Sequence, residues 1–184
     1  DLLHNHYALY ETPAGLVLMD RRAAGERIWF ERLQAEYRAG RPPTQKLLFP
    51  VPLEFDPVSS SCLLDRIEFF SEHGVEIAEF GRNFFRIEAI PVWMEPADAA
   101  PHVRELVANL RDGALHGANL DLAREALARL SASKAVNLGR APDADELRRL
   151  PDRLFACRNP MTSPSGKPTP VEIPLSEIAR RLQR

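Results

Sequence analysis

Two short apolar stretches open the chain, Tyr7-Ala8-Leu9-Tyr10 and Leu16-Val17-Leu18-Met19, separated by Thr12-Pro13-Ala14-Gly15. Apolar runs bounded by turn-forming residues predict a strand pair over 3–10 and 15–20 joined as a hairpin. The period then lengthens. Glu26, Phe30, Leu33 and Tyr37 fall at the i, i+4, i+7 and i+11 positions of one helical face, which predicts a helix over 23–38. Pro42-Pro43 stops it, because consecutive prolines have no amide hydrogen to continue the ladder.

Residues 46–55 are apolar but interrupted by Pro50 and Pro52, so the segment is predicted as an edge strand or connector and not a central strand. Asp56-Pro57 supplies an N-cap and a first-turn proline for one helix that buries Leu63, Ile67 and Phe70 and ends at Gly74. Two strands are predicted over 75–80 and 84–93, joined around Gly81-Arg82-Asn83. Helices follow over 101–112, with Val103, Leu106, Val107 and Leu110 on one face, over 121–136, and over 143–155, where Pro151 predicts a kink or break. Five prolines between 159 and 174 make a constrained loop that leads into a short strand at 171–173 and a last amphipathic helix carrying Ile178 and Leu182. Strands early, helices in the middle and a strand-helix return at the end predict an α+β fold.

Composition narrows the classes. With 184 residues, 45% apolar and 27% charged, the chain has the balance of a folded domain, or of two small subdomains, and not of a disordered segment. A net charge of −2, from 24 basic and 26 acidic residues, draws the domain neither to nucleic acid nor to an acidic membrane as a whole. Cys62 and Cys157 show no C-x-x-C spacing, so neither a disulfide framework nor a thiolate zinc site is expected, and both read as buried apolar residues. No apolar run reaches the length of a membrane span, and the first residues carry no basic-then-apolar leader. The expectation is a cytoplasmic fragment of a longer protein with no membrane partner. No glycine-rich phosphate loop appears, so no nucleotide cofactor is expected here.

Three places are more specific than core packing requires: Asp20-Arg-Arg-Ala-Ala-Gly-Glu26 with Glu31 after it, Ala132-Ser-Lys-Ala135, and Thr162-Ser-Pro-Ser-Gly-Lys-Pro-Thr169. Together they resemble the C-terminal domain of the MutL mismatch-repair family. Its endonuclease members carry D-Q-H-A-x-x-E-x-x-x-x-E, A-C-x-A and C-P-H-G-R-P-T in this order. The resemblance keeps Asp20, Ala23, Glu26, Glu31, Pro164, Gly166, Pro168 and Thr169, while Arg21 and Arg22 replace the glutamine and histidine and Lys167 the arginine. Ser133 and Ser163 stand at the cysteines and Ser165 at the second histidine. Neutral hydroxyls are poor substitutes for thiolate and imidazole, and Arg22 brings a fixed positive charge where a cation would sit. No tightly held metal and no catalytic set are therefore expected. Asp20 and Glu26 read as acids near a helix N-terminus, and Arg22 is expected to pair with Glu26 or Asp20. The alternative is a latent metal-dependent endonuclease that nicks DNA with Asp20, Glu26 and Glu31 and a hard cation. His4 and His6, on one face of the first strand, read as polar surface, and Lys134 and Lys167 as solvated charges.

A second signal is Gln45-Lys46-Leu47-Leu48-Phe49-Pro50, just after the double proline. It resembles the short motif by which bacterial repair and replication proteins bind the sliding clamp. An amide followed by large apolar side chains in extended chain suits an apolar groove with a few polar fixing points. The resemblance implies a sheet-based dimerisation subdomain from 1–44 plus 160–184, with a helix-rich regulatory subdomain, 45–159, inserted in it. It also implies a homodimer that ties together two N-terminal ATPase domains, docks on the clamp through Gln45, Leu47, Leu48, Phe49 and Pro50, and works with MutS-type partners and, through the full-length protein, with DNA.

Overall fold

The computed structural model describes residues 1–112, 120–136 and 142–183. Its elements begin with β1 (Leu2–Leu3), β2 (Tyr7–Thr12), β3 (Gly15–Asp20), α1 (Arg21–Ala39) and β4 (Thr44–Glu54). They continue with α2 (Pro57–Leu64), α3 (Ile67–Glu72), β5 (Glu76–Gly81), β6 (Phe84–Pro91) and α4 (Pro96–Arg111). The last are α5 (Leu120–Ala135), α6 (Ala144–Phe155), β7 (Pro170–Pro174) and α7 (Leu175–Arg181). The fold is α+β, with a four-stranded sheet ordered β1-β2-β3-β7 and a three-stranded sheet ordered β4-β6-β5, all pairs antiparallel. Two units form: Asp1–Glu31 with the described part of Val136–Arg184, and Arg32–Ala135. The division thus falls inside α1 and just after α5, and α6 belongs to the first unit, whereas the expected boundaries lay at 44/45 and 159/160.

In the first unit the hairpin forms as expected, with Thr12 opposite Gly15 across Pro13-Ala14. Only glycine fits at position 15. Its φ is +153°, and a Cβ there would lie 2.2 Å from the Ile173 carbonyl of the crossing β7. The expected strand over 3–10 is instead broken, because His4 and Asn5 take positive φ of 49° and 59° and fold β1 back on β2. His4 and His6 therefore sit in a turn, not on a strand face.

Ala8 and Met19 face one another across the hairpin and are fully buried against Ala24 and Ile28 of α1 and Leu154 of α6, with Tyr10, Leu147, Leu150 and Cys157 around them. α6 starts on a capping box in which Asp143 accepts from the Glu146 amide at 2.8 Å and Glu146 from the Asp143 amide at 3.1 Å. It then runs through Pro151 without the expected break. Pro151 has no amide hydrogen for the carbonyl four residues earlier, that of Leu147. That carbonyl accepts the Tyr10 hydroxyl at 2.6 Å instead. The sheet supplies the hydrogen bond that the proline removes, and burial pushes the Tyr10 phenol pKa up.

In the second unit β6 is central, and β4 lies at an edge, as Pro50 and Pro52 require. β4 leaves register between Lys46 and Val51, so residues 47–50 stand outside the ladder. The single helix expected to end at Gly74 is two helices, interrupted at Asp65-Arg66, where Arg66 leaves helical geometry at φ −127° and ψ 14°. α3 buries the neighbours Phe69 and Phe70, while Ile67 is only partly covered. Asp56 caps α2 as predicted, accepting from Val58 and Ser59 amides at 2.9 and 3.0 Å and from the Ser59 hydroxyl, which lowers its pKa. α4 begins at Pro96, earlier than expected, because Pro96 takes the first turn while Pro101 is carried inside the helix. It packs on β4, β6, α2 and α5. Cys62 and Cys157 are free and half-buried, a correction to the expected full burial. Among the described residues no helix is long and apolar enough to cross a membrane.

A buried polar line runs through this unit. His102 Nε2 lies 3.3 Å from the Ser131 hydroxyl, Ser131 bonds to Tyr37, and the Tyr37 ring meets His73 edge-on at 4.7 Å. Nδ1 of His73 is 2.6 Å from the Phe69 carbonyl. Burial pushes Tyr37 up to about 12 and His102 down to about 4, and lowers His73 as well.

Two outcomes follow. Tyr10→Phe leaves the Leu147 carbonyl without a donor and should cost about 1–2 kcal/mol in urea denaturation. The loss should shrink in a Pro151→Ala background, where the helix amide returns; an unchanged loss would contradict this account. Histidines held neutral by the fold stabilise it fully above their unfolded pKa of about 6.5 and less as pH falls towards the folded value. Denaturation midpoints should therefore drop between about pH 6.5 and 4, with His102 alone contributing about 2 kcal/mol by about pH 4.5, and His102→Asn should flatten the slope.

Candidate functional site

The first motif lies where β3 passes into α1. Asp20, the last residue of β3, accepts the Ala23 amide at 2.9 Å through Oδ1 and so caps the helix that follows. Its own amide donates to the Thr169 carbonyl at 2.9 Å, which brings the first and third motifs together. Glu26 pairs with Arg22 Nε at 3.1 Å, one of the two pairings open to Arg22. Glu31 accepts the backbone amides of Arg158 and Asn159 at 2.7 and 3.2 Å and lies 3.5 Å from Arg27 Nη1.

The third motif is a closed loop. Thr162 and Pro168 form a bridge, the Ser163 amide donates to the Lys167 carbonyl while the Ser163 carbonyl accepts the Gly166 amide, and the Thr169 hydroxyl donates to the Pro160 carbonyl. Ser163 is buried; its Oγ accepts the Lys167 amide at 3.1 Å and lies 2.9 Å from Oγ of the exposed Ser165. Two hydroxyls thus share one hydrogen bond inside the turn. Gly166, at φ +84°, allows the chain to reverse there.

Ser133 belongs to the second unit, on α5, and donates to the Leu130 carbonyl of its own helix at 2.8 Å. Beside it Lys134 is exposed, as expected of a solvated charge, and is paired with Glu105 at 3.0 Å. Among the described residues no group of three or more His, Cys, Asp or Glu side chains converges as a metal cluster.

Arg27 was missed. Buried at 6% exposure, it donates through Nε to the Thr162 carbonyl at 2.7 Å, reaches Glu31 and lies over the Phe30 ring at 5.5 Å. The one sequence signal was its i, i+4 spacing to Glu31 on the buried side of α1. Gly25 is the other: a Cβ there would come within 3.1 Å of Val136 where the chain re-enters the first unit.

The clamp-like segment is divided by the irregularity in β4. Leu48 and Phe49 are 87% and 79% exposed, Pro50 is exposed and Leu47 is half-buried. Gln45 is half-buried, stays in register opposite Ile90, and donates through Nε2 to the Met94 carbonyl at 2.8 Å.

The other apolar exposure is on the first sheet. Its inner face carries Ala8 and Met19, and its outer face carries the cross-strand rows Leu9-Leu18-Val171, Glu11-Leu16-Ile173 and Leu3-Tyr7-Asp20. Leu3, Tyr7 and Val171 are 43%, 39% and 50% exposed, and Leu9, Leu16, Leu18 and Ile173 are half-exposed.

These features define an α+β domain with an apolar outer sheet face, a protruding apolar bulge on an edge strand, and a loop bound to its first helix by an arginine and a glutamate. The chain belongs to the family described as the MutL C terminal dimerisation domain, which matches residues 1–141. It is 56% identical over 183 residues to a DNA mismatch repair protein MutL of Opitutus terrae, covering 100% of this chain and 29% of that protein. The protein of the same name from Akkermansia muciniphila is 39% identical, covering 97% of this chain and 28% of the relative. That of Symbiobacterium thermophilum is 32% identical, with 99% and 29% covered. The chain thus spans under a third of the length of these relatives.

Glu31→Ala strands two backbone amides and the buried Arg27 guanidinium together. It should cost about 3 kcal/mol in equilibrium unfolding, against about 1 kcal/mol for loss of the Asp20 cap in Asp20→Ala. Equal losses would mean that the brace is no stronger than a single cap.

Proposed function

We propose that this domain joins two copies of a MutL-like mismatch-repair protein through the outer face of the four-stranded sheet, docks on the sliding clamp through the β4 bulge, and does not itself cut DNA. The observation that carries this is the outer sheet face. Its inner side is already filled by α1 and α6, yet Leu9, Leu16, Leu18, Val171 and Ile173 form a second contiguous apolar surface. A sheet with one buried and one solvated face normally alternates apolar and polar residues, so an apolar outer face calls for a partner. A second copy fits, because one self-complementary patch closes a two-fold dimer. The family description, a dimerisation domain, supports the same reading.

The relatives are named for DNA mismatch repair, and that role comes to this chain as part of the proposal, together with upstream ATPase domains, MutS-type partners and a cytoplasmic location. Docking on the clamp rests on Leu48 and Phe49, which are exposed beyond what an edge strand needs. Silence as a nuclease rests on the donor set. Asp20 serves the Ala23 amide, Glu26 serves Arg22, and Glu31 serves two amides and Arg27, while serines hold the positions of sulfur and imidazole. Such donors do not suit a tightly held transition metal.

Leu18→Glu puts a charge at the centre of the outer face without touching the core. Sedimentation should show the wild-type chain as a dimer at micromolar concentration and the variant as a folded monomer. A variant that stays dimeric places the interface elsewhere. Nicking of supercoiled plasmid in Mn²⁺ by the purified chain, lost in Glu26→Ala, would contradict the silent site.

A further inference from the structure

The two halves of the clamp-like segment stand in opposite states. Leu48 and Phe49 project into solvent, but the Gln45 amide is half-buried and donates to the Met94 carbonyl. That carbonyl has little freedom to follow a departing glutamine. The Met94 side chain is buried at 3% exposure, its amide closes a turn on the Pro91 carbonyl at 3.0 Å, and the Val92 amide is fixed to the Pro43 carbonyl at 3.1 Å. A groove that takes the glutamine side chain along with the apolar ones must therefore take it away from Met94.

We propose that Gln45 is a latch: it holds the polar half of the segment closed on Met94, and docking of an apolar-grooved partner on Leu48 and Phe49 is completed only when the Gln45 amide leaves that carbonyl. The inference rests on the clamp-docking reading. Register supports two separable steps, since Gln45 and Lys46 remain paired with Ile90 and Ala89 whereas residues 47–50 are already free of the ladder. The apolar pair is presented first, and the paired stretch before it opens second. Breaking one hydrogen bond and leaving a largely buried carbonyl without its donor weakens binding by about tenfold relative to an unlatched segment. The latch also adds selectivity, because a surface that offers only an apolar contact gains nothing from Gln45.

The test uses a purified bacterial sliding clamp, the whole chain, its Met94→Ala variant, which loosens the turn without altering the segment, and a synthetic peptide of residues 43–52. Met94→Ala keeps the carbonyl but removes the buried side chain that anchors it, so it should bind more tightly than wild type by up to about tenfold, and amide hydrogen exchange at 91–95 of the wild-type chain should quicken when the clamp is added. Where Met94→Ala does not fold, exchange on the wild-type chain decides alone. A peptide that binds, with equal affinities for wild type and variant and unchanged exchange at 91–95, overturns the latch and leaves docking intact. Absence of binding by the peptide and by both chains overturns docking and the latch with it.

Discussion

The carboxylate of Glu31 organises the first unit. It receives the amides of Arg158 and Asn159 and stands beside Arg27, whose guanidinium reaches on to the Thr162 carbonyl. One turn of α1 thereby fixes the start and the middle of the returning chain. From there Thr169 is bound to Asp20, and β7 is laid along β3 from Pro170 opposite Met19 to Pro174 opposite Gly15. Val171 and Ile173, which extend the apolar outer face, are in place because the loop before them is held. A charge pair inside α1 thus governs the surface on which assembly is proposed.

The same brace bears on the fate of the family's metal motifs. On the proposed reading, the positions that carried ligands have become ordinary structural parts. An aspartate caps a helix, a glutamate neutralises the arginine one turn before it, and two serines hydrogen-bond to one another within a turn. None of these uses requires sulfur or imidazole. The loop leads directly into β7, and its backbone reverses at Gly166 and closes through the Thr162–Pro168 bridge.

Much of the fold was legible wherever the signal was local. The hairpin followed from two apolar runs and a turn, the edge position of β4 from Pro50 and Pro52, and the cap at Asp56 from its proline neighbour. What escaped was set by partners distant in sequence. Pro151 foretold a kink or break, and the helix is unbroken because Tyr10, 137 positions from Leu147, satisfies the Leu147 carbonyl. The interruption at Asp65-Arg66, where Arg66 leaves helical geometry, has no signal in the spacing of Leu63, Ile67 and Phe70, which fits one continuous helix. The turn at His4-Asn5 depends on positive φ in residues that tolerate it without demanding it. At the candidate site the motif residues were legible by type and spacing. The hydrogen bond from Gln45 to Met94, 49 positions away, and the part played by Arg27 were not, since each depends on a backbone carbonyl that no side-chain pattern records.

The most direct test of the account is the molar mass of the purified wild-type chain, read by light scattering over a dilution series from about 100 to 1 micromolar. An interface built on the outer sheet face must clear about 1,000 Å² of buried surface to persist in that range. A two-fold dimer gives twice the chain mass of 20.7 kDa, falling only at the lowest concentrations. A mass of 20.7 kDa throughout would contradict it.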